Sequence, residues 1–252
     1  MRRTLRRTLK ITGFTVLGIF LLLAGEAIYA FTRDYPLNDP EQPVSGEFGD
    51  PSLPRLKFVV LGDSTSVGVG TTPENSFPWL LATWLSDRFH VELEVVGVGG
   101  ATTADVADNQ VDKALDLDPD LILVEIGAND TTHGTPLCKV EADIARALDR
   151  LKASGAALVV AGPPNMGTSP VMPQPLRMIS GWRGNAVGRR IEQEARERDL
   201  PYIDLAGGTR DEFRDNPEKY YSVDWFHPGA EGYKLWAEVM FPTVNREAKR
   251  LL

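Results

Sequence analysis

The chain has 252 residues and a formal net charge of −8, enough for one sizeable α/β domain plus an appendage. Its hydrophobic fraction of 42% and charged fraction of 25% are ordinary for a globular protein. Residues 1–10 hold five basic side chains and no acid, so the remainder carries −13, which argues against nucleic acid as a partner. The single cysteine, Cys138, excludes an intrachain disulfide and any multi-cysteine metal site.

After the basic segment 1–10, residues 11–31 form an apolar run broken by one charge, Glu26. About 20 such residues suffice to cross a hydrocarbon core, and the preceding Arg/Lys cluster favours a cytoplasmic N-terminus. A transmembrane signal anchor is expected, with the rest of the chain extracytoplasmic. The alternative is secretion after cleavage, for which Ile28-Tyr29-Ala30 is a poor small-x-small site. Residues 32–54 carry Pro36, Pro40, Pro43, Pro51 and Pro54 among polar residues and read as an extended extracytoplasmic linker. The folded domain is expected over 55–252.

From Arg55 onward strands and helices alternate. Strands are predicted at 56–61, 91–96, 121–126, 156–161 and 200–205. Helices are predicted over 77–89, 102–115, 140–153, 176–199 and 230–252, with a Pro/Gly/Met-rich loop at 163–175. Repeated β-α units with near-continuous apolar strands imply a parallel sheet covered on both faces.

Four strand-end segments carry polar or glycine residues that a plain sheet does not need: Gly62-Asp63-Ser64, Gly97-Val98-Gly99-Gly100-Ala101-Thr102-Thr103, Gly127-Ala128-Asn129-Asp130 and Asp224-Trp225-Phe226-His227-Pro228-Gly229. Each alone reads as a turn or a cap. Acyl transfer by serine needs a base, a group orienting that base and donors for an oxyanion. Ser64 is a candidate nucleophile, His227 its base, and Asp224, three residues earlier, reaches the ring from the same turn. The Ser64 amide, a glycine amide at 100 and the Asn129 side chain are candidate oxyanion donors. These segments meet only at the carboxyl edge of one parallel sheet.

In these four blocks, present in order, the chain resembles the SGNH hydrolases, the GDSL-type esterase and lipase superfamily. The resemblance implies catalytic Ser64, Asp224 and His227, and an oxyanion hole from Ser64, Gly100 and Asn129. It also implies a three-layer α/β/α sandwich with a five-stranded parallel sheet in flavodoxin-like order. Thr65 stands where the family's naming motif has leucine, and Val95 and Gly99 stand where many members have Asn and Ser.

Other classes fit less well. Ser64 has Ser66 where a Gly-x-Ser-x-Gly elbow needs its second glycine, and the acid and histidine lie three residues apart. The glycine run at 97–100 does not complete Gly-x-Gly-x-x-Gly, because position 102 is threonine. Three scattered histidines and one cysteine make no metal site, so neither metal nor cofactor is expected. The expected reaction is cleavage of a carboxylic ester or acyl group on a small molecule, lipid or glycan. The alternatives are acyl transfer to an envelope glycan or lipid, and a non-catalytic envelope-binding protein. Met166, Val171 and Met172 of the 163–175 loop, with Trp225 and Phe226, are candidate walls of an acyl pocket.

Overall fold

The computed structural model describes residues 2–32, 35–37 and 44–252. Its first element, α1 (Arg2–Phe31), is one helix running through both the basic segment and the apolar run. The stretch Lys10–Tyr29 has a mean hydropathy of 2.0 and, among the described residues, is the one helical segment long and apolar enough to cross a membrane.

Six strands follow: β1 (Ser45–Phe48), β2 (Arg55–Gly62), β3 (His90–Val95), β4 (Leu121–Glu125), β5 (Ala157–Ala161) and β6 (Tyr202–Ile203). They lie side by side in the order β1-β3-β2-β4-β5-β6. The five strands β2 to β6 are parallel and take the expected flavodoxin-like order.

β1 corrects the expected strand count. It pairs antiparallel with β3 on the sheet edge, from Ser45 opposite Glu94 to Phe48 opposite Val91, inside the stretch expected to be linker. A four-residue strand among prolines shows no period in sequence. It is held by distant partners: Phe48 meets Trp79 edge-on at 4.8 Å, and Val44 is buried. An edge position tolerates such flanks. Residues 33–34 and 38–43 of the expected linker lie outside the described residues.

The helices are α2 (Phe77–Leu85), α3 (Thr103–Asp105), α4 (Val111–Asp116), α5 (Ala128–Thr132), α6 (Leu137–Ala153), α7 (Leu176–Glu197), α8 (Leu205–Asp215), α9 (Pro217–Tyr220) and α10 (Ala230–Lys249). Successive β2 side chains feed opposite layers. Leu56, Phe58 and Val60 pack with α2, α8 and α10, whereas Val59 and Leu61 pack with α4, α6 and α7. Each fully buried side chain of this kind contributes about 1.5–3 kcal/mol. Burial on both faces explains the unbroken apolar strands.

Of the predicted elements that come out shorter than expected, two have a visible cause. The helix expected over 102–115 is divided into α3 and α4 by a π-turn at Val106–Gln110. The last strand is confined to Tyr202–Ile203 because Asp204 caps α8, accepting the Gly207 amide at 2.9 Å.

Candidate active site

β2 ends at Gly62 in a space without room for a side chain. A Cβ there would stand 2.4 Å from the Glu125 carbonyl oxygen, so glycine keeps β2 and β4 paired at the sheet's carboxyl edge. The chain then turns sharply. Ser66 Oγ donates to the Asp63 carbonyl at 2.7 Å, and the Val69 amide donates to the Ser64 carbonyl at 3.0 Å. From α10, the Tyr233 hydroxyl donates to the Val69 carbonyl at 2.6 Å and pins the far side of this loop. Ser64 is left half-buried at the mouth.

The segment that meets it is closed by a bridge between Tyr221 and Pro228, with Trp225 in the left-handed region at φ 59°. Asp224 organises this turn. Its Oδ1 accepts from Ser222 Oγ at 2.6 Å and from the Phe226 and His227 amides at 3.0 Å each. Its Oδ2 lies 2.6 Å from His227 Nδ1, and His227 Nε2 lies 2.9 Å from Ser64 Oγ. Burial acts to raise the Asp224 carboxyl, but bonds from His227, Ser222 and the Phe226 amide outweigh it and hold it below the usual carboxylate range. The ionised carboxylate takes the Nδ1 hydrogen, which leaves Nε2 as an acceptor toward Ser64 Oγ.

Asn129, on α5, donates through Nδ2 to the Ala101 carbonyl at 2.9 Å and to Asp63 Oδ2 at 3.3 Å. It lines the same cavity as Ser64 and His227. Gly100 makes no hydrogen bond to these residues, and its loop is tied to them through Ala101. It is exposed at φ 79°, and an added Cβ would meet nothing within 4 Å. Among the described residues, the amides of Ser64 and Gly100 donate to no protein acceptor. The structure therefore joins Ser64, His227 and Asp224 directly, adds Asn129 at the cavity, and sets Gly100 on the adjoining loop.

Several supporting residues escaped the sequence reading. The Gln110 side chain accepts the Gly62 amide at 3.0 Å and donates to the Gly62 carbonyl at 2.8 Å. The π-turn that contains Gln110 shifts the helical register, so no regular period marks this residue as inward-facing. Asp130 accepts both the amide and the hydroxyl of Thr103 at 2.9 Å, joining the loops after β3 and β4. Burial raises its carboxyl, with the Thr103 bonds opposing. Among the described residues, no group of three or more His, Cys, Asp or Glu side chains is arranged to hold a metal ion.

The cavity beside Ser64 has apolar walls from Met166, Phe213 and Phe226. It holds roughly 520 Å³ of unfilled space and opens to solvent. Val171 and Met172, expected as lining, are instead buried in a cluster with Met166, against Trp225 and Phe226.

Residues 60–235, more than half of the chain, match the family model of the GDSL-like lipases/acylhydrolases. The GDSL-like esterase Rv1075c of Mycobacterium tuberculosis is 29% identical over 245 residues, spanning 91% of this chain and 78% of that protein. Among solved structures, TesA is similar with a TM-score of 0.64 at 19% identity, over 76% of this chain and 99% of that one. A catalytic mutant of Axe2, an acetylxylan esterase from Geobacillus stearothermophilus, is similar with a TM-score of 0.59 at 17% identity, over 78% of this chain and 95% of that one. Such identities speak to the fold, while the family match spans all but the outer edges of the domain. The chain thus belongs to the GDSL-like lipase/acylhydrolase family, and is a carboxylic ester hydrolase with the SGNH-hydrolase fold.

Proposed function

We propose that the protein hydrolyses short-chain carboxylic esters through an acyl-enzyme on Ser64, in a domain held outside the cytoplasm by α1. The observation that carries the reading is the continuous contact Asp224–His227–Ser64, at 2.6 and 2.9 Å. Ser64 Oγ attacks the ester carbonyl carbon while its proton passes to His227 Nε2. The carbonyl oxygen becomes an oxyanion held by the Ser64 and Gly100 amides and by Asn129 Nδ2, whose longer bond to Asp63 yields to it. The intermediate collapses, the C–O bond to the alcohol breaks, and the alkoxide leaves with the proton from His227. Water then attacks the acyl-enzyme, His227 takes its proton and returns one to Ser64, and the carboxylic acid departs.

The apolar lining beside Ser64, from Met166, Phe213 and Phe226, supports a small apolar acyl group of a few carbons. Acetyl and propionyl aryl esters should be turned over at least about tenfold faster, by kcat/KM, than octanoyl ones, because each misfit methylene forfeits about 1–3 kcal/mol. The test is a chain-length panel on the full chain, before and after a serine-reactive phosphonate whose adduct is mapped by peptide mass spectrometry. Turnover that survives complete labelling of Ser64, or a preference for octanoyl esters, overturns the reading.

One contact supports an uncleaved anchor. Glu26, the single charge in the apolar run, is buried and accepts the Leu176 amide at the N-terminus of α7 at 3.1 Å. A carboxylate is favoured at a helix N-terminus, so this charge has a partner in the catalytic domain. The mature protein is expected in the alkali-resistant membrane fraction with its N-terminal helix intact. Recovery of a soluble chain beginning after Ala30 rules the anchor out.

A further inference from the structure

Directly beneath the Ser64 turn lies a pair of carboxyls, to which ester hydrolysis assigns no proton transfer. Asp63 and Glu125 are both fully buried. Thr65 Oγ1 stands between them, 2.9 Å from Asp63 Oδ1 and 2.5 Å from Glu125 Oε2. A hydroxyl carries one hydrogen and can serve only one of these oxygens. With both carboxyls ionised, the other contact would press lone pairs together at hydrogen-bonding distance, so one carboxyl carries a proton.

The surrounding donors decide which one. Asp63 Oδ1 also accepts the Thr65 amide at 3.0 Å, and its Oδ2 faces Asn129 Nδ2 at 3.3 Å. Glu125 has only the Thr65 hydroxyl, and its Oε1 has no hydrogen-bond partner. An anion belongs on the carboxyl with several donors, while an unpartnered neutral carbonyl costs far less than an unpartnered carboxylate. The neighbouring charges agree. Burial raises both carboxyls; Asp63 pushes Glu125 further up with only the Thr65 hydroxyl opposing, whereas the Thr65 amide, the Thr65 hydroxyl and His227 all pull Asp63 back against Asp130. Tyr202 and Tyr233, the remaining titratable groups nearby, are kept neutral by burial.

We propose that Glu125 is a positioning residue held as the neutral acid: its hydrogen goes to Thr65 Oγ1, the Thr65 hydrogen goes to Asp63, and the fixed Asp63 carboxylate holds the Ser64 turn and keeps Asn129 Nδ2 in place until the oxyanion takes its hydrogen. The hydroxyl at the centre is the residue that replaces the leucine of the family's naming motif, so the relay is built on this chain's own departure. The inference rests on the reading of Ser64 as nucleophile and Asn129 as an oxyanion donor.

The test compares Glu125→Gln, Glu125→Leu, Thr65→Ser and Thr65→Val in the full chain, on an aryl acetate. Glutamine and serine keep a neutral donor and a hydroxyl, and kcat is expected to stay within about threefold of wild type. Leucine and valine break the relay, and kcat is expected to fall about 10- to 100-fold with KM nearly unchanged, as for a slightly misplaced catalytic group. Infrared difference spectra between wild type and Glu125→Gln at neutral pH supply a readout independent of turnover and of how well the leucine variant folds. They should show the carbonyl stretch of an un-ionised carboxylic acid. Its absence overturns the proposal, as does an unchanged kcat in Thr65→Val. A Glu125→Gln loss as deep as that of Glu125→Leu, with Asp63→Asn tolerated, places the proton on Asp63 and also overturns it. Failure of the Ser64 reading is seen separately, as wild-type turnover insensitive to the phosphonate.

Discussion

Replacing Ser64 by alanine should lower kcat on an aryl acetate by about 10⁴- to 10⁶-fold while leaving the fold in place. The large loss follows from the proposed covalent step, because among the described residues Ser64 Oγ is the one hydroxyl hydrogen-bonded to the imidazole, at 2.9 Å from Nε2. The small structural effect follows from what the serine does not hold. The turn is fixed by its backbone carbonyl, which accepts the Val69 amide, and by the Ser66 and Thr65 side chains, all of which alanine leaves intact. The half-buried His227 ring keeps Asp224 and stays close to solvent, so the stability change should stay within about 0.5 kcal/mol. Circular dichroism melts and initial rates on the same preparation check both halves. A variant retaining more than about a hundredth of the wild-type rate shifts the nucleophile elsewhere.

Much of this site was legible because a parallel sheet gathers its strand ends at one edge. Ser64, Gly100, Asn129 and the Asp224/His227 pair each follow an apolar strand or open the last helix, so their order in sequence already implied a meeting. The Asp224 to His227 spacing was readable because both lie in one turn. What stayed hidden depends on distant neighbours. β1 has too few residues to show a period and is defined by its pairing with β3. Gln110 faces inward only because a π-turn changes the helical register. Asp63 stood in the Gly62-Asp63-Ser64 block with no role of its own and Glu125 inside the predicted strand 121–126, since nothing local reveals that a single threonine hydroxyl bridges them. Glu26 read as a flaw in an apolar helix until its bond to the Leu176 amide gave it a partner.

Asp224→Asn separates the orienting role of this carboxylate from its structural one. The Asn side-chain oxygen can keep the three bonds that build the turn, from Ser222 Oγ and from the Phe226 and His227 amides. Its NH₂ group then faces His227 Nδ1, which must accept. The ring hydrogen moves to Nε2 and points at Ser64 Oγ, so the base has no lone pair where one is needed. The expected result is a loss of about 10⁴-fold in kcat with KM close to wild type. Asp224→Ala removes the acceptor for four donors, the three of the turn and His227 Nδ1, and should in addition cost about 1–3 kcal/mol for each buried donor left unpaired. The pH dependence provides a second check. The folded Asp224 carboxyl is held below its ordinary value of 3.8, so its ionised form stabilises the fold above that value and loses the contribution as pH falls through the lower folded one. Wild type should therefore exceed Asp224→Asn in stability at neutral pH, with the gap closing only in strong acid. An Asp224→Asn enzyme keeping a tenth of its kcat removes the imidazole from the role its contacts suggest.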